Sequence, residues 1–196
     1  MIYEVMTLLM QQVEIYLDEA YEGLDIKLEL GNVAALELTG GNEYAKTLVN
    51  LINYQEEGTL RNVPNYTEVN GISQLENPVV NLNLFVLFCS TKTTAYSESI
   101  KDISKIIEFF QGQRVFTPAN TIYLSDSMDF VNLGNFKIYA DLYTPSFEEL
   151  NYIWGSLGGK QLPSVLYKFR IVQLERKAVI DQAGLITETN QNINNI

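Results

Sequence analysis

Residues 79–90 read VVNLNLFVLFCS, and this stretch constrains the fold more than any other. Side chains alternate sides along a strand, so Val80, Leu82, Leu84, Val86 and Phe88 form one apolar face. The opposite side carries Asn81 and Asn83, then Phe85 and Leu87. A strand that is apolar on both sides has no face to give to water, so it belongs in the centre of a sheet covered on both sides. Cys89 closes the run, which predicts a buried thiol and not a nucleophile.

The covering layers are legible as helical periodicity. Ile2, Val5, Met6, Leu9, Val13, Tyr16, Leu17 and Ala20 recur at three- and four-residue steps, predicting a helix over 2–22 with Gly23 as its stop. Ile100, Ile103, Ile107 and Phe110 predict a second helix over 97–111, ended by Gly112. Ser146 followed three residues later by Glu149 reads as a capping box, ahead of a third helix with Leu150, Ile153, Trp154 and Leu157 on one face.

Between them lie further strands. DIKLEL (25–30) alternates, and Gly31-Asn32 before VAALEL predicts a tight hairpin. Residues 45–55 fit a strand, with a helix as the alternative; NFKIYADLY (135–143) and SVLYKFRIVQLE (164–175) alternate clearly. Residues 56–78 are polar and turn-rich, so they read as a long loop. The segment 177–196, rich in Asn, Gln and Thr, reads as a flexible tail or interaction arm beyond a domain over 1–176. The expected class is α/β (α+β), a mixed β-sheet with about three helices packed on it. At 196 residues one such domain has room for a substantial core.

Charge narrows the function. Thirteen basic residues against 24 acidic ones leave a net charge of −11, a field that repels phosphate backbones and anionic lipid. No nucleic-acid partner and no membrane insertion are expected, since the longest apolar runs fall far short of the roughly 20 residues a spanning helix needs. The N-terminus lacks the positive region of a signal peptide, so synthesis in the cytoplasm is expected. The chain has no histidine and one cysteine, which removes the commonest general base, the usual zinc ligands and any internal disulfide.

Candidate sites thin out under the same scrutiny. In IWGSLGGKQLPS (153–164), Gly159-Lys160 suggests a phosphate loop, but the required first glycine is Trp154 and the magnesium-binding hydroxyl is Gln161. A helix precedes this loop and a strand follows, so the negative end of the helix dipole would face the ligand. A glycine cap with a proline after it is the better reading. DSMD at 126–129 lacks the calcium-loop pattern, and nothing fixes the separation of Glu56 and Glu57 as an acid–base pair. No catalytic residues, no cofactor site and no metal site are expected. Lys160, Lys168, Arg170, Arg176 and Lys177, five basic residues within 18 positions, form a basic stretch in an acidic chain. It reads either as a solvated strand face or as a docking surface for an acidic neighbour, a copy of the same chain included.

Three ordered blocks carry a resemblance: EEGTLRNVPNY (56–66), PVVNLNLFVLFCSTKTTAYSESIKDISKIIEFFQGQRVFTP (78–118) and FEELNYIWGSLGGKQLPSVLYKFRIVQLE (147–175). Together the chain resembles the cap, or tail-terminator, proteins of extracellular contractile injection systems, the antifeeding-prophage and virulence-cassette type of phage-tail-like particles. The resemblance is of the N-terminal-domain type and spans residues 3–176. It implies an α/β fold like that of phage tail terminators and a structural role, closing the distal end of inner tube and sheath as a six-fold ring. It also implies that the chain is not an enzyme, and that its partners are itself and the tube and sheath proteins of a particle either released or anchored. Trp154, Gly158, Pro163 and Tyr167 would be fold-defining. Arg61, Asn62, Arg114, Phe116, Lys168 and Arg170 are the candidate subunit, tube or sheath contacts. The rival readings are a baseplate or neck adaptor of the same particle and, from another class, a small-molecule-binding module or enzyme.

Overall fold

The structure, a computed structural model, describes residues 2–21, 26–36, 46–58, 66–69, 72–76, 79–92, 95–122, 136–174 and 179–184. Of these, 66–69, 72–76, 171–174 and 179–184 are described as backbone.

In chain order the elements are α1 (Ile2–Ala20), β1 (Lys27–Leu30), a 3-10 turn (Val33–Ala35), β2 (Lys46–Glu56), β3 (Tyr66–Val69), β4 (Ile72–Glu76) and β5 (Val80–Ser90). Then follow α2 (Tyr96–Gly112), β6 (Val115–Phe116), β7 (Ile138–Tyr143), α3 (Phe147–Ser156), β8 (Ser164–Leu174) and β9 (Val179–Gly184). Among the described residues, three helices thus pack on a six-stranded mixed sheet of order β1-β2-β5-β8-β7-β6, in which only β1 and β2 pair in parallel.

β5 lies inside the sheet and bonds to β2 and β8 along nearly its whole length, as its two apolar faces require. One face meets α1 and α2: Leu84, Val86 and Phe88 join Val5, Leu9 and Val13 of α1 and Ile106 and Phe110 of α2. Aromatic rings fill the middle of this layer, with Phe110 and Tyr167 centred 4.4 Å apart. The other face meets α3 and the 3-10 turn, where Leu48, Leu87, Cys89 and Leu166 enclose Trp154 and Val33.

Four local expectations change. Gly31-Asn32 makes no hairpin, because the Asn32 side chain accepts a bond from Ala34 N at 3.0 Å and starts the 3-10 turn instead. β1 then pairs in parallel with β2. The buried stripe of α2 is rotated from the one expected: Ile100 and Ile107 are exposed, whereas Asp102, Ile106 and Phe109 are buried. The rotation is possible because Asp102 finds two polar partners inside, Ser90 and Lys92.

The stretch 56–78 is no continuous loop. It holds β3 and β4, which pair antiparallel on either side of Asn70-Gly71. Residues 179–184, expected in a flexible tail, form β9 on the other side of β4, completing a second sheet of order β3-β4-β9. The same two segments pair in both sheets: Val80 faces Leu174, and Glu76, just before it in sequence, faces Val179.

Candidate functional site

α3 covers only part of its side of the sheet, and the part left open presents charged and aromatic side chains of β5, β7 and β8. Direct partners across antiparallel strands share a face. Asp141 of β7 is opposite Lys168 of β8, which is opposite Phe85 of β5; Tyr139 is opposite Arg170. Phe85 belongs to the α3-side cluster, so this row of residues lies on the α3 side.

On this surface the cations lie over rings. Lys168 Nζ is 5.7 Å from the centroid of the Phe85 ring. The Tyr139 ring has Lys137 Nζ at 5.2 Å and the Arg170 guanidinium carbon at 5.6 Å. Arg170 also donates to the Asp141 carboxylate, whereas Lys137 and Lys168 have no carboxylate partner among the described residues.

Toward α3 the surface deepens into an open groove of about 430 Å³, whose floor is Ile52, Phe85 and Leu166 and whose helical wall is Tyr152, Ile153 and Ser156. The wall is fixed by its cap. Ser146 Oγ accepts from Glu149 N, and Glu149 Oε2 accepts from Ser146 N, closing the capping box. Glu149 Oε1 accepts in addition from Tyr143 Oη of β7 at 3.1 Å, tying the helix to the sheet. The Ser146 N–H and then the Tyr143 hydroxyl hold the Glu149 carboxyl below its ordinary range, and the same bond raises Tyr143. Phe147 at 93% and Tyr152 at 69% exposure stand outward from α3 as large rings without cover.

The far end of α3 is a glycine-capped turn. Gly158 and Gly159 take φ of 98° and 77°, and Gly159 N donates to Trp154 O at 2.7 Å, the long bond of a Schellman motif. Pro163 O then accepts from Ser90 N at 3.0 Å, at the start of β8 beside β5. Trp154 is buried against the sheet, and its Nε1 has no acceptor among the described residues. The Gly159 N–H that a phosphate loop would use is committed to closing the helix, and Lys160 is exposed just beyond it.

The sequence candidates separate accordingly. Lys168 and Arg170 come together on the open face. Arg114 is exposed between α2 and β6. Phe116 is corrected: it has 0% exposure and packs on Phe109 and Phe110, because the two residues of β6 turn it inward. Arg61 and Asn62 lie outside the described residues. Tyr167, expected to define the fold, is buried in the aromatic layer, and burial pushes its hydroxyl up to about 12. Cys89 is buried and its thiol is pushed up to about 12 by burial, which leaves no thiolate for nucleophilic work near neutrality.

Lys137, Tyr139 and Phe85 are the members the sequence reading missed. The alternation of NFKIYADLY already places Lys137, Tyr139, Asp141 and Tyr143 on one side. That β7 lies beside β8 is a property of topology and cannot be read from either strand alone. Among the described residues, no helix is long and apolar enough to cross a membrane.

The sequence profile described as the Pvc16 N-terminal domain matches residues 4–188. Among solved structures, the fold is similar to the sheath/tube terminator of a PVC extracellular contractile injection system in its extended state. That match has a TM-score of 0.64 and 15% identity, covering 100% of this chain and 64% of the other. It is also similar to the anti-feeding prophage cap, the AFP tube-terminating cap, with a TM-score of 0.61 and 16% identity over 96% of this chain and 60% of that one. The chain therefore spans under two thirds of the length of both matched chains. No curated protein matches the chain significantly.

Proposed function

The chain belongs to the Pvc16 N-terminal domain family, and from that premise we propose that it is the cap, or terminator, of a contractile injection particle. In this role it closes the distal end of the inner tube and sheath as a ring of copies, six-fold where the tube is six-fold. The observation that carries the reading is the agreement of the family match, over 4–188, with two terminator folds aligned along nearly the whole chain. The role is structural and not enzymatic, and its partners are further copies of the chain and the tube and sheath proteins.

The surface chemistry supports this reading. A ring subunit needs faces that bind protein, and the open face beside α3 offers cations over rings next to an apolar groove. Aromatic residues and Arg are the types enriched at interface centres. Such a subunit acts as a component of a phage-tail-like particle assembled in the cytoplasm.

The test is the length distribution of tubes and sheaths made with and without this chain. A terminator sets the end point, so its removal gives tubes or sheaths of uncontrolled length. Particles of unchanged, uniform length with normal ends would exclude the role. Loss of all assembly, tubes included, would favour a baseplate or neck adaptor instead.

A further inference from the structure

We propose that the open face built from Lys137, Tyr139, Lys168 and Arg170 docks onto the C-terminal end of α1, at Asp18 and Glu19, of a neighbouring copy. The inference rests on the ring reading above and names the two surfaces that meet.

Apart from Arg170, which already holds Asp141, the charged groups of each surface have no ion-pair partner among the described residues of their own subunit. Asp18 and Glu19 are exposed in the last turn of α1, which contains no basic residue. A helix C-terminus is the negative end of the dipole, so carboxylates there are disfavoured and cations favoured. One turn earlier, Glu14 has its carboxyl raised, chiefly by burial, with the charge of Asp18 adding to the rise. Among the described residues neither Asp18 nor Glu19 has a cation partner. Lys137 and Lys168 present the converse case, cations held over rings and, among the described residues, in no ion pair, the Asp141 carboxylate opposite Lys168 being taken by Arg170.

Position excludes a contact within one subunit and suits a contact between two. α1 packs on the face opposite α3, and its C-terminal half lies over β1, where Glu14 Oε1 accepts from Leu28 N at 3.2 Å. β1 is one edge of the six-stranded sheet, while β7 and β8 lie toward the other. The acidic end and the basic face thus occupy opposite faces and opposite halves of the sheet. Two complementary surfaces so separated join head to tail, and head-to-tail contacts repeat until the rotation closes a ring. In a chain of net charge −11, a cationic face is also the surface on which another copy meets least repulsion.

The experiment is a charge swap read by sedimentation velocity of the full chain, with thermal melting as the control for folding. Lys137→Glu with Lys168→Glu, and separately Asp18→Lys with Glu19→Lys, should each weaken self-association by on the order of tenfold or more. The four changes together should restore it to within a few-fold, which no misfolded variant can do. The milder pair Lys137→Gln and Lys168→Gln should lie between wild type and reversal. Reversals that leave the mass unchanged, a swap that fails to restore it, or a wild-type chain that stays monomeric would each overturn the inference. If reversal of the lysines leaves self-association intact but blocks incorporation into particles, the face binds tube or sheath and the pairing with a copy is wrong. Tube length separates the two proposals. Controlled length with indifferent reversals keeps the cap reading and sinks the pairing, while a working swap with unaffected tube length does the opposite.

Discussion

Asp102 of α2, with no exposure to solvent, is held by Lys92 Nζ at 3.0 Å and by Ser90 Oγ, which donates at 3.0 Å. The bond joins α2 to the end of β5 and fixes which side of the helix turns inward. A buried carboxylate stripped of its cation is left uncompensated, at a cost of about 3–5 kcal/mol. Lys92→Met should therefore lower the unfolding free energy by about 3 kcal/mol in chemical denaturation. Adding Asp102→Leu to it should recover most of that loss, because no buried charge remains. Equal stability for Lys92→Met and wild type would show that the pair is solvated.

Two weakly acidic groups of the core, the Cys89 thiol and the Tyr167 hydroxyl, predict an alkaline limit. Burial raises the Cys89 thiol from 9.0 and the Tyr167 hydroxyl from 10.0, each to about 12. A folded-state value above the unfolded one means the stabilisation is complete below the unfolded value and is lost as pH rises through the folded one. Melting temperature should accordingly fall from about pH 9 onward, and Tyr167→Phe should flatten the part of the fall above about pH 10. A melting temperature constant from about pH 8 to about 11 would contradict the burial of both groups.

Glycines of α3 and its cap should respond in opposite directions. Gly158 has a φ of 98° and open space around its Cα, so Gly158→Ala meets backbone strain alone and should cost about 1–2 kcal/mol. Gly155 lies inside the helix, also with open space, and Gly155→Ala should stabilise by about 0.5–1 kcal/mol. Equilibrium unfolding of the two variants measures both, and the same sign for both would remove the Schellman assignment.

The cap of α3 shapes the groove as well as the helix. Ser146→Ala deletes the acceptor for Glu149 N and should cost about 1 kcal/mol. It should also loosen the wall that carries Tyr152 and Ile153, which amide hydrogen exchange across 147–156 would register as faster exchange. Unchanged exchange there would mean that packing of Trp154 alone holds the helix.

Elements whose faces are decided by their own residues were legible in the sequence. The alternation in 80–90 identified a central strand because both its faces are apolar, and Ser146 with Glu149 announced α3 because both halves of the cap are local. What failed depended on distant partners. The stripe of α2 is rotated by Asp102, whose burial is paid for by residues that precede the helix. Strand β9 looks like a polar tail because its pairing partner, β4, lies more than a hundred residues earlier. The β3–β4 hairpin is a different kind of miss. Asn70-Gly71 between two short runs is a strong local hairpin signal, and it was masked by the polarity of the surrounding stretch.

The candidate face was half legible for the same reason. Lys168 and Arg170 are visible as basic residues on one side of a strand, and Lys137 and Tyr139 as one side of another. Only the pairing of β7 with β8 joins them into a single surface with Asp141.

Whether this chain ends the tube is read most plainly from an image of the assembled particle with the chain carrying a small electron-dense or epitope label. A terminator places the label's density at one end only, at the tip of tube and sheath away from the baseplate. Label along the shaft, at the baseplate, or absent from intact particles with closed ends would contradict it.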